Sequence, residues 1–520
     1  MRKSVSRPLL LATVLILGTI GAVFALKQSR GTFTERWEGG HRIISVGPKD
    51  SLQAAINAAQ LGDTIIVQTG ATYSGAFALP LKNGTGEIVI QSSRASELPE
   101  GVRISPGQSA LFAKLQTTNE DPVVKTAPGA HHYRLVGIEF STVNAKVKVY
   151  DLIRLGESRH EQKTIDSVPH HLVIDRCYIH GFDAQDVQRG ISLNSGETTI
   201  SNSYISTIHG IGYDTQAVAG WNGPGPFHIV NNYLEAAGEN VLFGGADPAS
   251  PDLIPSNIEI RRNYIFKPLS WKVGDPSYAG KHWTVKNLLE LKNARNVIID
   301  GNLFENNWTD GQAGIPILFT VRNQEGTAPW SILENVTFTN NIVKSAEGAL
   351  NLLGSDNEKP SQRSSDLLIA NNFFTDIRGP FLTLNGYNNV TLSHNTHFQT
   401  GNIMVLCGTP VQKLIYRDNL TIRQPSGYGV FGDSLGEGVV ALEKFAPDAV
   451  LTQNVLALAD SSLYPKDNYF PASIERVGFV NFAKSDYRLA ASSSYARASS
   501  DGRSIGCDWE KLNFSAKSSK

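Results

Sequence analysis

A six-residue phrase recurs along the chain: apolar, any residue, polar, usually asparagine, then two apolar positions. It reads Ile174 to Ile179, Ile200 to Ile205, Ile229 to Leu234, Ile260 to Ile265, Ile299 to Phe304, Phe338 to Val343 and Ile369 to Phe374. Weaker copies centre on Ile138, Asn395, Asn419 and Asn454. Successive fourth positions are spaced 39, 26, 29, 31, 39, 39, 31, 23, 24 and 35 residues apart. A floor near 23 with irregular additions predicts one coil of a parallel β-helix per copy, with the extra residues in rim loops. No single coil buries its own apolar face, so coils must stack.

Stacking at the ~4.8 Å strand spacing turns the asparagines Asn232, Asn263, Asn302, Asn341 and Asn372 into a column. An amide both donates and accepts, so each can bond the one above and below while satisfying a tight turn. These residues are therefore read as structural. Cys177 and Ser203 hold the same column without an amide. About ten residues before most phrases lies another short strand: Ile191–Asn194, Val241–Phe243, Leu288–Asn293, Ile317–Arg322, Leu350–Leu353 and Phe381–Leu384. Before the coils, Ser51 is placed to cap a short helix with Leu52, Ala55, Ile56 and Ala59 on one face, covering the raw end of the stack. At the other end, Tyr487–Leu489 and Gly506–Trp509 read as irregular closing structure.

The first residues give an address. Arg2, Lys3 and Arg7 precede an apolar run from Leu9 to Leu26, which reads as an export signal cleaved after Ala25 or as an uncleaved membrane anchor. Residues 27–44 read as a linker, 45–512 as the β-helix and 513–520 as a polar tail. Lys+Arg 47 against Asp+Glu 48 give a formal net charge of −1, which speaks against a nucleic-acid binder. Three cysteines with no paired spacing exclude a disulfide scaffold and a cysteine zinc site. Oligomeric state leaves no mark on the sequence.

Candidate chemistry lies on the strands that precede the asparagines. Side chains alternate along a strand, so inward Leu289 and Leu291 leave Glu290 and Lys292 outside; inward Phe319 and Val321 leave Thr320 and Arg322 outside. This register expects Lys292 beside Arg322 and Glu290 beside Thr320, with Glu239 and Asp247 from the coil below. The long additions around Asn302 would wall this stretch into a cleft. They carry Trp271, Trp283, Trp308 and Trp330, with Trp221 nearby; aromatic faces beside a polar groove suit sugar rings. Lys286, Trp221, Trp283, Trp308 and Asn323 are the expected substrate contacts. The pairs His131–His132 and His170–His171 stand at strand entrances with no third ligand in view, while His209 and His228 read as turn or hydrogen-bonded histidines.

The opening Gly62-Asp63-Thr64-Ile65, Gly70 and Tyr73, together with the asparagine coils, resembles the pectate-lyase-like right-handed parallel β-helix superfamily over residues 45–512. The fold implied is all-β: a right-handed, single-stranded parallel β-helix with an N-terminal capping helix and long rim loops. The run Lys292 to Asn302, followed by Phe319 to Asn323, is similar to the alginate-lyase and chondroitinase-B group of polysaccharide lyases. That resemblance implies β-elimination on an acidic, uronate-containing polysaccharide, with Lys292 as base and Arg322 pairing with the substrate or assisting the leaving oxygen. It also implies calcium, for which Glu239 and Glu290 are the candidate ligands, although Val285 and Asn287 stand where the group has its metal carboxylates. A glycoside hydrolase on the same fold would need two or three close carboxylates, and a non-catalytic carbohydrate-binding or surface solenoid needs none; both alternatives stay open.

Overall fold

The computed structural model describes residues 33–143 and 146–512; the segments 1–26 and 513–520 lie outside the described residues. The described strands form three long faces of fifteen, thirteen and thirteen strands, each ordered along the chain in steps of one coil. One coil runs His170–Asp175 on the first face, Tyr178–His180 on the second and Val187–Leu193 on the third, and then returns to the first at Thr198. The result is the expected right-handed, single-stranded parallel β-helix.

Register follows the repeated phrase residue for residue. Its first position stacks as Ile174, Ile200, Ile229, Ile260, Ile299, Phe338 and Ile369. Its last stacks as Ile179, Ile205, Leu234, Ile265, Phe304, Val343 and Phe374. All of these are buried in one continuous core.

Between those two columns runs the amide ladder. Asn263 donates its backbone N–H to Asn302 Oδ1 at 2.9 Å and its Nδ2 to the same oxygen at 3.0 Å, while Nδ2 also donates to Ile229 O at 2.8 Å. The same pattern links Asn302 to Asn341, Asn341 to Asn372, Asn372 to Asn395, Asn395 to Asn419 and Asn419 to Asn454. It continues one rung beyond the sequence pattern, to Asn468. Ser203 keeps the column going with a hydroxyl that accepts from Cys177 N–H at 3.0 Å, while its own N–H donates to Asn232 Oδ1. Up to Asn454 the residue before each ladder position takes the left-handed conformation, among them Arg176, Asn202, Asn231, Arg262, Gly301, Asn340 and Asn371. That conformation turns the chain from the first face to the second, and asparagine tolerates it better than most residues.

Both ends are covered. The helix Leu52–Ala58, capped by Ser51 Oγ accepting from Ala54 N–H at 3.2 Å, buries Leu52, Ala55 and Ile56 against the first coils. Part of the expected linker is a hairpin, Thr34–Glu38 antiparallel to His41–Val46, which closes the edge of the first face. At the far end a second helix, Val439–Phe445, buries Ala441, Leu442 and Phe445. The segments Tyr487–Leu489 and Gly506–Trp509, expected to close the stack, instead fold back along the second face. There Trp509 meets Phe373 at 4.8 Å between ring centroids, and Cys507 N–H donates to Thr396 Oγ1 at 3.0 Å. Their aromatic side chains cover the outward Phe373 and Phe398 of that face. All three cysteines are free, and burial pushes the Cys177 and Cys507 thiols up to about 12.

The ladder makes a quantitative demand. Asn341→Ala removes the acceptor of two Asn302 donors and strands the carbonyl of Ile299. At about 1–3 kcal/mol for each buried polar group left unpaired, the loss should reach about 3–5 kcal/mol in chemical denaturation. Asn341→Ser, with a hydroxyl like that of Ser203, should recover part of it; equal stability of the wild type and the alanine variant would refute the ladder as a source of stability.

Candidate functional site

The third face bends, and the bend builds the site. Two consecutive residues point inward on each of its rungs: Ala217 and Val218, Leu288 and Leu289, Ala349 and Leu350. The strand therefore turns at that point, and the residues flanking the inward pair stand on the outer side as two rows. The first row carries Asp151, Arg189, Gln216 and Glu239 in direct register, and Asn287 follows in the next rung. The second row carries Ala219, Leu242, Glu290 and Leu318.

Above these rows opens a groove of about 550 Å³. Lys292, Arg189, Trp221, Gln216 and Asp214 line it on the sheet side, and Arg159, His160 and Glu325 line it from the rim loops. The walls are tied together: Arg159 bonds Thr327 and lies 3.1 Å from Glu325, while Asp247 Oδ2 accepts from Thr327 N–H at 2.8 Å and Oγ1 at 2.7 Å. Asp247 thus anchors a loop. The Arg189 guanidinium sits 4.9 Å from the Trp221 ring centroid and 3.4 Å from Asp151, and its buried Nε has no hydrogen-bond partner.

Beneath the groove lies a buried charge network. Glu239 is fully buried and Glu290 is 3% exposed. Glu239 Oε2 accepts from Gln216 Nε2 at 2.7 Å; its Oε1 lies 3.7 Å from Lys286 Nζ, which also pairs with Asp214. Glu290 Oε1 lies 3.6 Å from Lys292 Nζ, and its Oε2 accepts from Asn287 Nδ2 at 3.3 Å. Burial, then the negative charges of Glu290 and Asp214, push Glu239 up to about 7 against the pull of Lys286 and Gln216. Burial works against the charge on Lys286, but Glu239 and Asp214 outweigh it and hold the lysine above its ordinary range. Deeper still, Lys267 is fully buried and donates to the carbonyls of Ala236, Ala237 and Gly238 and to Asn240 Oδ1, with burial lowering it to about 7. It fixes the turn that delivers Glu239.

The expected register is off by two residues. Glu290 stands beside Leu318, not Thr320, because the strands pair Leu289 with Ile317 and Leu291 with Phe319. Lys292 and Arg322 still meet through the backbone, Arg322 N–H donating to Lys292 O at 2.9 Å. The Arg322 side chain reaches to the next coil, where it bonds Asp356 at 3.0 Å and Asn357. Asn323, an expected substrate contact, is spent on its own loop: its N–H donates to Asp356, Nδ2 to Pro360 O, and Oδ1 accepts from Ala328 N–H. Trp283 and Trp308, also expected in the groove, are buried with Trp271, Val285 and Ala237 in a separate loop core. Rim loops this long need apolar filling of their own, and these tryptophans supply it. His209 stacks on Trp283 at 3.7 Å, and burial lowers it to about 3, so it is a neutral core ring. Trp221 remains on the groove, with Lys292 on the same wall; Lys286 is held just below.

Arg159, His160, Arg189 and Gln216 were missed in the sequence. After Gln216 the strand to Gly220 carries only small or short apolar residues with no polar alternation, and the arginines lie in segments that carry no repeat phrase.

Three side-chain oxygens on consecutive rungs, Gln216 Oε1, Glu239 Oε1 and Asn287 Oδ1, are buried without a hydrogen-bond donor. Such a set of hard oxygen donors next to Glu290 fits an oxygen-liganded cation such as calcium.

No family model and no curated protein matches the chain. Solved structures are similar to it. An alginate lyase from Paenibacillus sp. str. FPU-7 is 15% identical, with 64% of this chain and 94% of that one covered and a TM-score of 0.36. A mannuronic acid specific polysaccharide family 6 lyase from human gut microbiota is 12% identical, with 84% and 92% covered and a TM-score of 0.43. The catalytic unit of an alpha-1,3-glucanase from Streptomyces thermodiastaticus is 12% identical, with 77% and 67% covered and a TM-score of 0.45. The likeness is one of fold, spanning lyases and a hydrolase alike.

The raised Glu239 makes a signed prediction. An acid whose folded pKa lies above its unfolded value favours folding fully below about pH 4.5, and that contribution is lost as pH rises toward 7. In chelator, Glu239→Gln should therefore gain stability relative to the wild type between pH 4.5 and pH 8, as measured by urea denaturation. A wild-type-to-variant difference that stays constant with pH would show that Glu239 is not raised.

Proposed function

We propose that this protein is an exported polysaccharide lyase that cleaves a uronate-containing polymer by β-elimination, with Lys292 as the base. The observation that carries the reading is the groove on the third face. A lysine and two arginines line it beside the half-buried Trp221 ring, while Glu239 and Glu290 of the same rungs lie buried underneath. Arg189, with an unpartnered Nε, and Arg159 are suited to the uronate carboxylate, and Trp221 offers a face to a sugar ring.

In elimination, the C5 proton passes to neutral Lys292 Nζ, its bonding electrons form the C4–C5 double bond, and the C4–O bond breaks toward the leaving sugar. Negative charge grows on the uronate carboxylate as this happens, and fixed cations stabilise it. Glu290 Oε1, 3.6 Å from Lys292 Nζ, holds the amine on the groove wall. Gln216, Glu239, Asn287 and Glu290 would hold calcium, which when bound supplies Lewis-acid stabilisation of the carboxylate. Arg322, backbone neighbour of Lys292, is held by Asp356 and Asn357 of the next coil and would swing from them to bring positive charge to the leaving oxygen. Export is assigned to residues 1–26, through a cleaved signal or a membrane anchor; among the described residues no helix is long and apolar enough to cross a membrane.

Incubation with a panel of uronate polymers tests the reading by the ultraviolet absorbance of the unsaturated product. Lys292→Ala should lower elimination by about 10²–10⁴-fold with an unchanged melting temperature. Arg322→Ala should lower it by about 10²-fold. Chelator should reduce the rate and added calcium restore it. Reducing ends without ultraviolet absorbance would instead mark a hydrolase using the Glu239 and Glu290 carboxylates. Full activity in Lys292→Ala would remove the proposed base.

A further inference from the structure

Four histidines outside the groove meet on the first face. His131 and His132 open one strand and His170 and His171 the next, with His131 and His170 in register. The rings stack in two columns: His131 on His170 at 5.1 Å and 15°, and His132 on His171 at 4.3 Å and 12°. Within each pair the Nδ1 atoms face each other, at 2.8 Å for His131 and His132 and 2.6 Å for His170 and His171. His171 Nε2 lies 2.6 Å from Glu197 Oε2 on the third rung. One ring nitrogen from each of His132, His170 and His171 falls within 4.8 Å of the others.

This is not the usual furniture of the position. His132 and His171 have φ of 58° and 53°. Later rungs fill the same left-handed site with Asn257, Asn296 and Asn335, whose amides bond one another at 3.0 Å. A facing pair of imidazole nitrogens can share only one proton, so stacked His–His pairs concentrate lone pairs where the amide ladder would balance donors against acceptors.

We propose that His132, His170 and His171 bind one divalent transition-metal ion of the imidazole-preferring class, zinc, nickel or copper. Glu197 accepts a hydrogen bond from His171 Nε2–H and so fixes that ring's tautomer, leaving Nδ1 for the metal, as carboxylates do behind histidine ligands. Tetrahedral bonds of about 2.0–2.1 Å need ring nitrogens about 3.3 Å apart, which small rotations of these half-buried side chains achieve from the present spacing. The ion would tie two consecutive rungs together on the first face, apart from the groove on the third.

The test is calorimetric titration of the chelator-stripped full chain with Ni²⁺ and, separately, Zn²⁺. One equivalent should bind, and the double variant His132→Asn/His171→Asn should weaken that binding at least 100-fold. Asparagine suits both backbone positions, so the variant should melt in chelator where the wild type does. His170→Gln, at ordinary backbone geometry, is the second variant and should weaken binding likewise. Wild-type affinity or stoichiometry no different from either folded variant would overturn the proposal, and so would no binding of either ion.

Discussion

One side chain per coil, repeated at the strand spacing, holds this molecule in register. A parallel stack has no hairpins to fix which residue faces which, and a slip of one residue would move every core side chain to the surface. The buried asparagine removes that freedom. Its amide bonds a backbone carbonyl of the coil before and the amide of the coil after, so a slipped rung leaves buried donors and an acceptor unpaired. The left-handed residue before it sets the angle between faces, and coil length can vary freely elsewhere.

That freedom explains what was legible in the sequence. The first and second faces flank the ladder, and their positions could be numbered from the repeated phrase alone. The third face lies across a variable loop from the phrase, and its strands bend with two inward residues in succession. Simple alternation was right that Lys292 faces outward, but a slip of two residues keeps every side chain on its face, so alternation alone could not show that Glu290 pairs with Leu318 rather than Thr320. Tryptophans counted as groove walls went into a loop core because a long rim loop must bury something of its own. Arg159 and Arg189 carry no pattern at all; only the closed coil brings them to Lys292. The helix Val439–Phe445 was missed because the stack's end was sought nearer the C-terminus.

The bend also accounts for the electrostatics of the groove. Two outer rows converge over an inward pair, so carboxylates from adjacent rungs are pressed into a partly dry floor. Glu239 and Glu290 repel, and the cheapest relief is to raise the pKa of the more buried one and draw lysines to both. The lysines are then anchored from below, while Arg189 is held beside Asp151 in the first row and Arg159 is tied to Glu325 and Thr327 on the rim.

The same stacking logic has opposite consequences on two faces. On the first face the left-handed turn position presents a side chain directly over its counterpart one rung away. An amide there closes a self-sufficient ladder, as Asn257, Asn296 and Asn335 do. Imidazole, with one proton for two nitrogens when neutral, does not, and the rungs of His132 and His171 must find their balance in Glu197 or in an ion. A repeat architecture thus turns a single change of residue type at one turn into a cluster of like groups. On the third face it does so with carboxylates and lysines, and on the first with imidazoles. Chemistry in such a fold arises where the column stops being chemically self-complementary.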